Sequence, residues 1–342
     1  MSQIIVDRLN KTYRQAIREP GLKGAIKHLY TQRYVDKCAV SDISFTINKG
    51  DSIAFLGPNG AGKSTTIKML SGILVPTSGS VRINGKIPHQ NRMTNAYNIG
   101  VVFGQRTQLW LDLPIRESFS LLKDIYSIPR EMFDRNMERF IELLDLDQFL
   151  HLPARKLSLG QRMRADLAAA LLHNPPIIFL DEPTIGLDIS VKTKIRSFIK
   201  QINKEQGTTV LLTTHDLEDI EDICRRLIVI DKGIIIYDGA LDELRRLYGG
   251  KERTIHLQLK DANELHALMA NIRSKFQVNH IHNNGNMLSI GFDGNRIAAG
   301  EIVGYVMLHT EVIDFKFDET RIDGMIRNIY EGNLKLTGDH RV

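Results

Sequence analysis

The sequence predicts an α/β core on a parallel sheet, with antiparallel strands ahead of it, a helical subdomain within it and a small α+β domain behind. Three observations carry this reading. The apolar runs Ile53–Leu56, Ile177–Leu180 and Val210–Leu212 read as strands buried on both faces, the pattern of a parallel sheet. Each ends on residues with chemical use: Gly57, Asp181, and His215 after two threonines. After Gly249-Gly250 the pattern changes to alternating strand-like and helix-spaced segments, enough chain for a second domain.

Taken in order, residues 1–9 read as a short strand, and 41–48 alternate Ile43, Phe45 and Ile47 on one face. A largely helical region follows over about 114–175, where Phe133, Met137, Phe140, Ile141 and Leu144 share a helix face. Beyond residue 250, TIHLQL, MLSIGF and VIDFKF are strand-like. Leu265, Leu268, Met269, Ile272 and Phe276 form one helical face, and Ile322, Met325, Ile326 and Ile329 another. His280 and His282 alternate on a strand with no third metal ligand in view. The expected division is 1–247 for the core, with its helical subdomain at about 106–175, and 251–342 for the accessory domain.

Of 342 residues, 42% are hydrophobic and 25% charged, which excludes a mainly disordered or collagen-like chain. The longest apolar run, Ile302 to Leu308 with Gly304 included, has seven residues. A helical bilayer crossing needs roughly 20, so none is expected. The amino terminus lacks a secretory pattern, and two cysteines, Cys38 and Cys224, make neither a disulfide framework nor a multi-cysteine zinc site. A cytoplasmic protein is the expectation. The net charge of +5 is concentrated. From Lys11 to Lys37, the seven basic residues Lys11, Arg14, Arg18, Lys23, Lys27, Arg33 and Lys37 face only Glu19 and Asp36, and all but Lys11 lie in a basic insertion at about 14–40. A solvated face is the plain reading; contact with acidic lipid headgroups or an acidic partner is the sharper one. No nucleic-acid motif accompanies the patch, so no nucleic acid is expected.

Residues 57–65, Gly-Pro-Asn-Gly-Ala-Gly-Lys-Ser-Thr, satisfy G-x-x-x-x-G-K-[ST] between a strand and a helix. Gly57, Gly60 and Gly62 let main-chain N–H groups curl around phosphate oxygens, with Asn59 in the same loop and Thr65 at the start of the helix. Lys63 reaches the β- and γ-phosphates of a nucleotide, and Ser64 ligates Mg²⁺. Asp181 supplies the metal site's carboxylate, and Glu182 beside it suits a base for an attacking water. Asn48-Lys49-Gly50-Asp51 matches a guanine-reading pattern, but it precedes the phosphate loop and reads as a turn, which leaves adenine as the base.

The discriminating segment is Lys156-Leu-Ser-Leu-Gly-Gln-Arg-Met-Arg164, shortly before IIFLDE. It resembles the signature motif of ATP-binding-cassette (ABC) ATPases, usually Leu-Ser-Gly-Gly-Gln, with Leu159 at the third position. In the expected order, Gln105 resembles the Q-loop glutamine, Gly186-Leu187-Asp188 the D-loop and His215 the switch histidine. The resemblance covers about 1–247. It implies a P-loop ABC ATPase that binds ATP and Mg²⁺ and works with a second copy of itself. Ser158, Gly160 and Gln161 would serve the ATP held by the other chain, and Asp188 would reach across to it. Gln105 would touch Mg²⁺ or water; Gln108 lies nearby as a rival. His215 would contact the γ-phosphate. Tyr13 resembles the aromatic that stacks on adenine, with Tyr30 and Tyr34 as alternatives.

The family resemblance further implies an integral membrane permease as a separate polypeptide, with this chain peripheral on the membrane's inner face. The tail and insertion resemble exporter-type bacterial cassettes, and the tail is expected to be regulatory or dimerising. Soluble ABC proteins acting on ribosomes or DNA are the rival class. The single phosphate loop and the 95-residue interval from Lys63 to Ser158 speak against them.

Overall fold

The computed structural model describes residues 2–16, 34–104, 106–214, 216–248, 253–260, 265–294, 296–318 and 326. They fall in two units, 1–238 and 239–337.

In the first unit, β1 (Ser2–Ala16), β2 (Tyr34–Asn48) and β4 (Ser78–Ile83) form an antiparallel sheet in the order β2-β1-β4. The second sheet has the order β5-β6-β7-β3-β8-β9: β5 (Ile99–Phe103), β6 (Ile177–Asp181), β7 (Thr209–Thr213), β3 (Ser52–Leu56), β8 (Arg226–Asp231) and β9 (Ile234–Ala240). Its β5–β6, β6–β7, β7–β3 and β3–β8 pairs are parallel, as the apolar runs predict. One core joins the sheets, with Ile4, Ile43, Phe45 and Ile47 meeting Phe55, Phe179 and Ile228.

The helices are α1 (Lys63–Leu70), α2 (Arg92–Asn98), α3 (Ile115–Ile125), α4 (Arg130–Leu144), α5 (Leu159–Leu171), α6 (Ile189–Gln206) and α7 (Leu217–Ile223). Helix α4 buries Met137, Phe140 and Leu144, whereas Phe133 and Ile141 are half-buried. Its other buried residue is Asn136, whose amide donates to the Leu172 carbonyl (2.8 Å) and Asn174 Oδ1 (3.0 Å). Apolar spacing alone does not reveal that polar anchor.

The first strand is a correction to the sequence reading. It does not stop near residue 9 but runs to Ala16, paired with β2 through Ala16↔Tyr34, so both ends of the basic insertion are strand. Beyond Thr12 the described ribbon side chains are exposed, and no hydrophobic alternation marks them. Cross-strand chemistry supports them instead: Arg14 lies opposite Asp36, and its guanidinium sits 4.6 Å from the centre of the Tyr34 ring. Residues 17–33 lie outside the described residues.

The second unit starts at Gly239, contains α8 (Leu241–Tyr248) and continues as a split-βαβ fold. Its elements are β10 (Arg253–Leu259), α9 (Leu265–Lys275), β11 (Val278–Asn284), β12 (Met287–Phe292), α10 (Ala299–His309) and β13 (Val312–Asp318), with sheet order β11-β12-β10-β13. Ile255, Leu257, Leu288 and Ile290 pack against Leu268, Ile272, Ile302 and Val306 of the two helices. Helix α10 contains the seven-residue apolar run, which lacks the polar spacing that announces an amphipathic helix. Of the expected final helical face, Ile326 is helical and buried; Ile322, Met325 and Ile329 lie outside the described residues. Among the described residues no helix is long and apolar enough to cross a membrane.

Candidate nucleotide-binding and hydrolysis site

The fully buried strand β3 delivers the chain to Gly57, and α1 starts at Lys63. Gly62 between them has φ 113°, and a Cβ there would lie 2.6 Å from the Ala39 carbonyl oxygen. A left-handed conformation and the close approach of β2 both require glycine. Lys63 is buried. Its ammonium donates to the carbonyls of Gly57 (2.5 Å) and Pro58 (3.2 Å), folding the side chain back over its own loop. Desolvation lowers the Lys63 pKa, against the opposing pull of the Glu182 and Asp181 carboxylates.

Strand β6 ends on Asp181, whose Oδ1 accepts from Ser64 Oγ (3.2 Å) and Thr213 Oγ1 (2.6 Å). The phosphate-loop serine and the strand-end acid are thus brought together from positions far apart in sequence. Glu182 follows with φ 56°, a left-handed conformation unusual for a non-glycine residue. Its N–H is held by the Thr213 carbonyl (2.9 Å) and hydroxyl (3.1 Å). These groups border a cleft of about 550 Å³ lined by Asn59, Ser64, Gly104, Asp181, Glu182 and Ile185.

Gly104 is a functional position that motif reading passes over. Its N–H donates to the Asp181 carbonyl (2.8 Å), and a Cβ would lie 2.5 Å from the Glu182 carbonyl oxygen. Only glycine lets the segment leading to Gln105 lie this close to the acids. The visible signal was its place in VVFGQ.

Gln105 and His215 themselves lie outside the described residues. Gln108 does not face the cleft: its N–H donates to Asp166 Oδ1 (3.0 Å) and its amide to the Asp166 carbonyl (2.9 Å), tying it to α5. Before His215, the Thr214 hydroxyl donates to Asp219 Oδ2 (2.8 Å). Asp219 is fully buried and also accepts from Arg196 Nε (2.6 Å) and the Thr184 hydroxyl. One carboxylate therefore anchors the segment after Glu182 and the segment before His215. Nothing in a linear motif marks it.

Ser158 caps α5. Its hydroxyl accepts from the Gln161 N–H (3.2 Å), while Gln161 Oε1 accepts from the Ser158 N–H (2.9 Å), a complete capping box. Gly160 faces Val191 of α6, and Asp188 caps α6 by accepting from the Val191 N–H (2.9 Å). None of Ser158, Gly160, Gln161 and Asp188 lines the cleft of their own chain. Exposed Leu159 fills the signature's third position, its Cδ2 close to Gly186. Tyr13 and Tyr34 are exposed on the β1–β2 ribbon, with Lys11 Nζ 5.4 Å from the centre of the Tyr13 ring; Tyr30 lies outside the described residues.

Comparison with known proteins bears on this arrangement. The ABC transporter family profile matches residues 40–185. The linearmycin resistance ATP-binding protein LnrL of Bacillus subtilis is 34% identical over 248 residues, covering 72% of this chain and 78% of that protein. The Nod factor export ATP-binding protein I of Ralstonia nicotianae is 35% identical over 217 residues, covering 62% of this chain and 66% of that protein. Among solved structures, a dimeric ATP-binding cassette bound to ADP and phosphate superposes with a TM-score of 0.58 at 27% identity, covering 70% of this chain and 98% of that one. A phosphate loop, an acid pair at a neighbouring strand end and a capped signature helix in this order make the chain a member of the ABC transporter family, an ATP-binding and ATP-hydrolysing subunit.

Proposed function

We propose that two copies of this chain bind ATP with Mg²⁺, close on each other head to tail, and drive a separate integral membrane permease between conformations. The observation that carries this is the meeting of Ser64 with Asp181 at a cleft that Glu182 also lines. A hydroxyl and a carboxylate 3.2 Å apart suit Mg²⁺, which takes few protein oxygens and completes its shell with phosphate and water. When bound, the ion neutralises charge developing on the phosphates.

The chain's own residues do the rest. Lys63 and the loop N–H groups at Gly57, Asn59, Gly60, Gly62 and Thr65 hold the phosphates. Glu182 accepts a proton from water as its oxygen attacks the γ-phosphorus and the bond to the β–γ bridging oxygen breaks. His215 contacts the γ-phosphate, and Gln105 touches the metal or the water. Tyr13 stacks on adenine. Tyr34 lies five strand residues beyond Ala39, the residue packed on Gly62, about 16 Å out along the ribbon, so Tyr13 is the nearer aromatic.

Pairing is supported by the signature residues lying outside their own cleft: the helix start at Ser158 offers a second phosphate-binding surface to another molecule. A permease partner is supported by exposed apolar side chains on α2 and at the end of α3. Met93, Tyr97 and Ile125 are exposed there, and the Tyr97 hydroxyl reaches the Ile125 carbonyl at 3.5 Å. Export is favoured by relatives named for linearmycin resistance and Nod factor export. The exposed basic ribbon supports contact with acidic headgroups beside that permease, and the C-terminal domain is regulatory or dimerising.

The test is Glu182→Gln. This variant should bind ATP and trap a closed pair that exchanges nucleotide slowly, with phosphate release lost. Undiminished phosphate release would remove Glu182 from its role. Copurification should yield an integral membrane protein; ribosomes or DNA in its place would contradict the transport reading.

A further inference from the structure

The C-terminal sheet ends on β13, and among the described residues no strand pairs with its outer edge. The strand reads Val-Ile-Asp-Phe-Lys-Phe-Asp. Phe315 and Phe317 stand opposite the buried residues Leu257 and Ile255 of β10, so they share the apolar face of the sheet. Yet Ile313, Phe315 and Phe317 are 60%, 45% and 41% exposed. The two aromatic rings meet edge to face at 5.5 Å, forming an apolar ledge along the border. Asp314 and Lys316 occupy the opposite face, and the Asp314 carboxylate accepts the N–H of Phe315 (2.8 Å). The strand has no proline, and although a register shift leaves Ile313 as an extra residue against β10, Asp314 to Asp318 form a regular edge, unpaired among the described residues, a template for pairing.

We propose that β13 pairs antiparallel with β13 of a second copy of this chain about a two-fold axis at Phe315, joining two four-stranded sheets into one of eight. The pattern of the strand selects both partner and register. In a two-fold contact, if residue i meets j then j meets i. Keeping both helical layers on one side requires apolar residues to face apolar residues, which restricts the axis to a residue rather than a gap between residues. An axis at Asp314 would set carboxylate against carboxylate, one at Lys316 ammonium against ammonium, and one at Ile313 or Phe317 would pair only three residues of each seven-residue strand. The axis at Phe315 places Asp314 against Lys316 of the second copy twice over, and Ile313 against Phe317 twice over, with the two Phe315 side chains together. Opposite charges directly across a strand pair are favourable, like charges unfavourable. This contact uses no residue of the ATP site, so it forms without nucleotide and stands apart from the closure of the cassettes.

The experiment uses the full-length, nucleotide-free protein in analytical ultracentrifugation. The expected result is a dimer. Asp314→Lys and Lys316→Asp, both exposed changes, should each weaken it about tenfold or more, and the two together should restore it. In a Cys38→Ser background, Phe315→Cys should cross-link to itself. Ile313→Cys should not, but should cross-link to a copy carrying Phe317→Cys. A nucleotide-free monomer would show that the edge is covered from within its own chain, and would overturn the proposal. So would a dimer indifferent to the charge changes, or Ile313→Cys cross-linking to itself. Any of these failures would leave the ATPase reading intact, because no nucleotide is present.

Discussion

Thr213 donates its hydroxyl hydrogen to Asp181 Oδ1 at 2.6 Å, and its two oxygens hold the N–H of Glu182. A strand-end threonine thus fixes both acids, one by side chain and one by main chain. Replacing it with valine keeps the shape and the carbonyl bond but removes the hydroxyl. Thr213→Val should leave the fold and ATP affinity near wild type and lower Mg²⁺ affinity or turnover by about 10–100-fold, the usual effect of losing a ligand's supporting hydrogen bond. Phosphate release across a Mg²⁺ titration measures this. An unaltered titration would mean that Ser64 alone orients Asp181.

Arg196 and Asp219 form the buried anchor behind the site, joined at 2.6 Å. Asp219→Ala leaves the guanidinium buried without its innermost partner and releases the Thr184 and Thr214 hydroxyls. The expected loss is about 3–5 kcal/mol of stability in urea denaturation of the core unit. A change within about 0.5 kcal/mol, ordinary for a surface substitution, would contradict the anchoring role.

Asp166 carries a pH dependence whose sign can be worked out. Burial pushes its pKa from 3.8 up to about 6, despite the hydrogen bonds from Gln108 and Thr107 that favour the charged form. Between about pH 4 and 6 the folded protein therefore binds more protons here than the unfolded chain does, and this residue's contribution to stability falls as pH rises. Above pH 6 the buried charge is a standing penalty. Both of those hydrogen bonds end on Oδ1, so Asp166→Asn can keep them without the charge. The variant should be more stable than wild type by about 1–3 kcal/mol at pH 8, and the gain should shrink on acidification through pH 6. Urea midpoints at pH 8 and near pH 4, on either side of this window, decide it.

What the sequence made legible was local. The phosphate loop, the strand-end acids and the signature segment are each written in consecutive residues, and their strand–loop–helix settings follow from short-range apolar patterns. Distant partners were not legible. The proximity of Gly104 to Glu182, the Asp219 anchor and the bond from Gln108 to Asp166 exist only once the parallel sheet and α5 are packed. The outer part of the β1–β2 ribbon, beyond Thr12, escaped for another reason: exposed on both faces, it has no apolar alternation, and pairs such as Arg14 with Asp36 leave no periodic trace. Helix α10 escaped because an unbroken apolar run has no polar face to reveal its period.

The central claim is that each ATP needs Lys63 from one chain and Ser158 from the other, and coexpression tests it directly. Lys63→Ala and Ser158→Arg should each abolish ATP hydrolysis alone. Coexpressed in equal amounts, random pairing makes half of the pairs mixed, each with one of its two sites intact, so the preparation should recover about a quarter of wild-type activity. A mixture no more active than its components, or a Ser158→Arg protein that hydrolyses ATP normally by itself, would contradict the account.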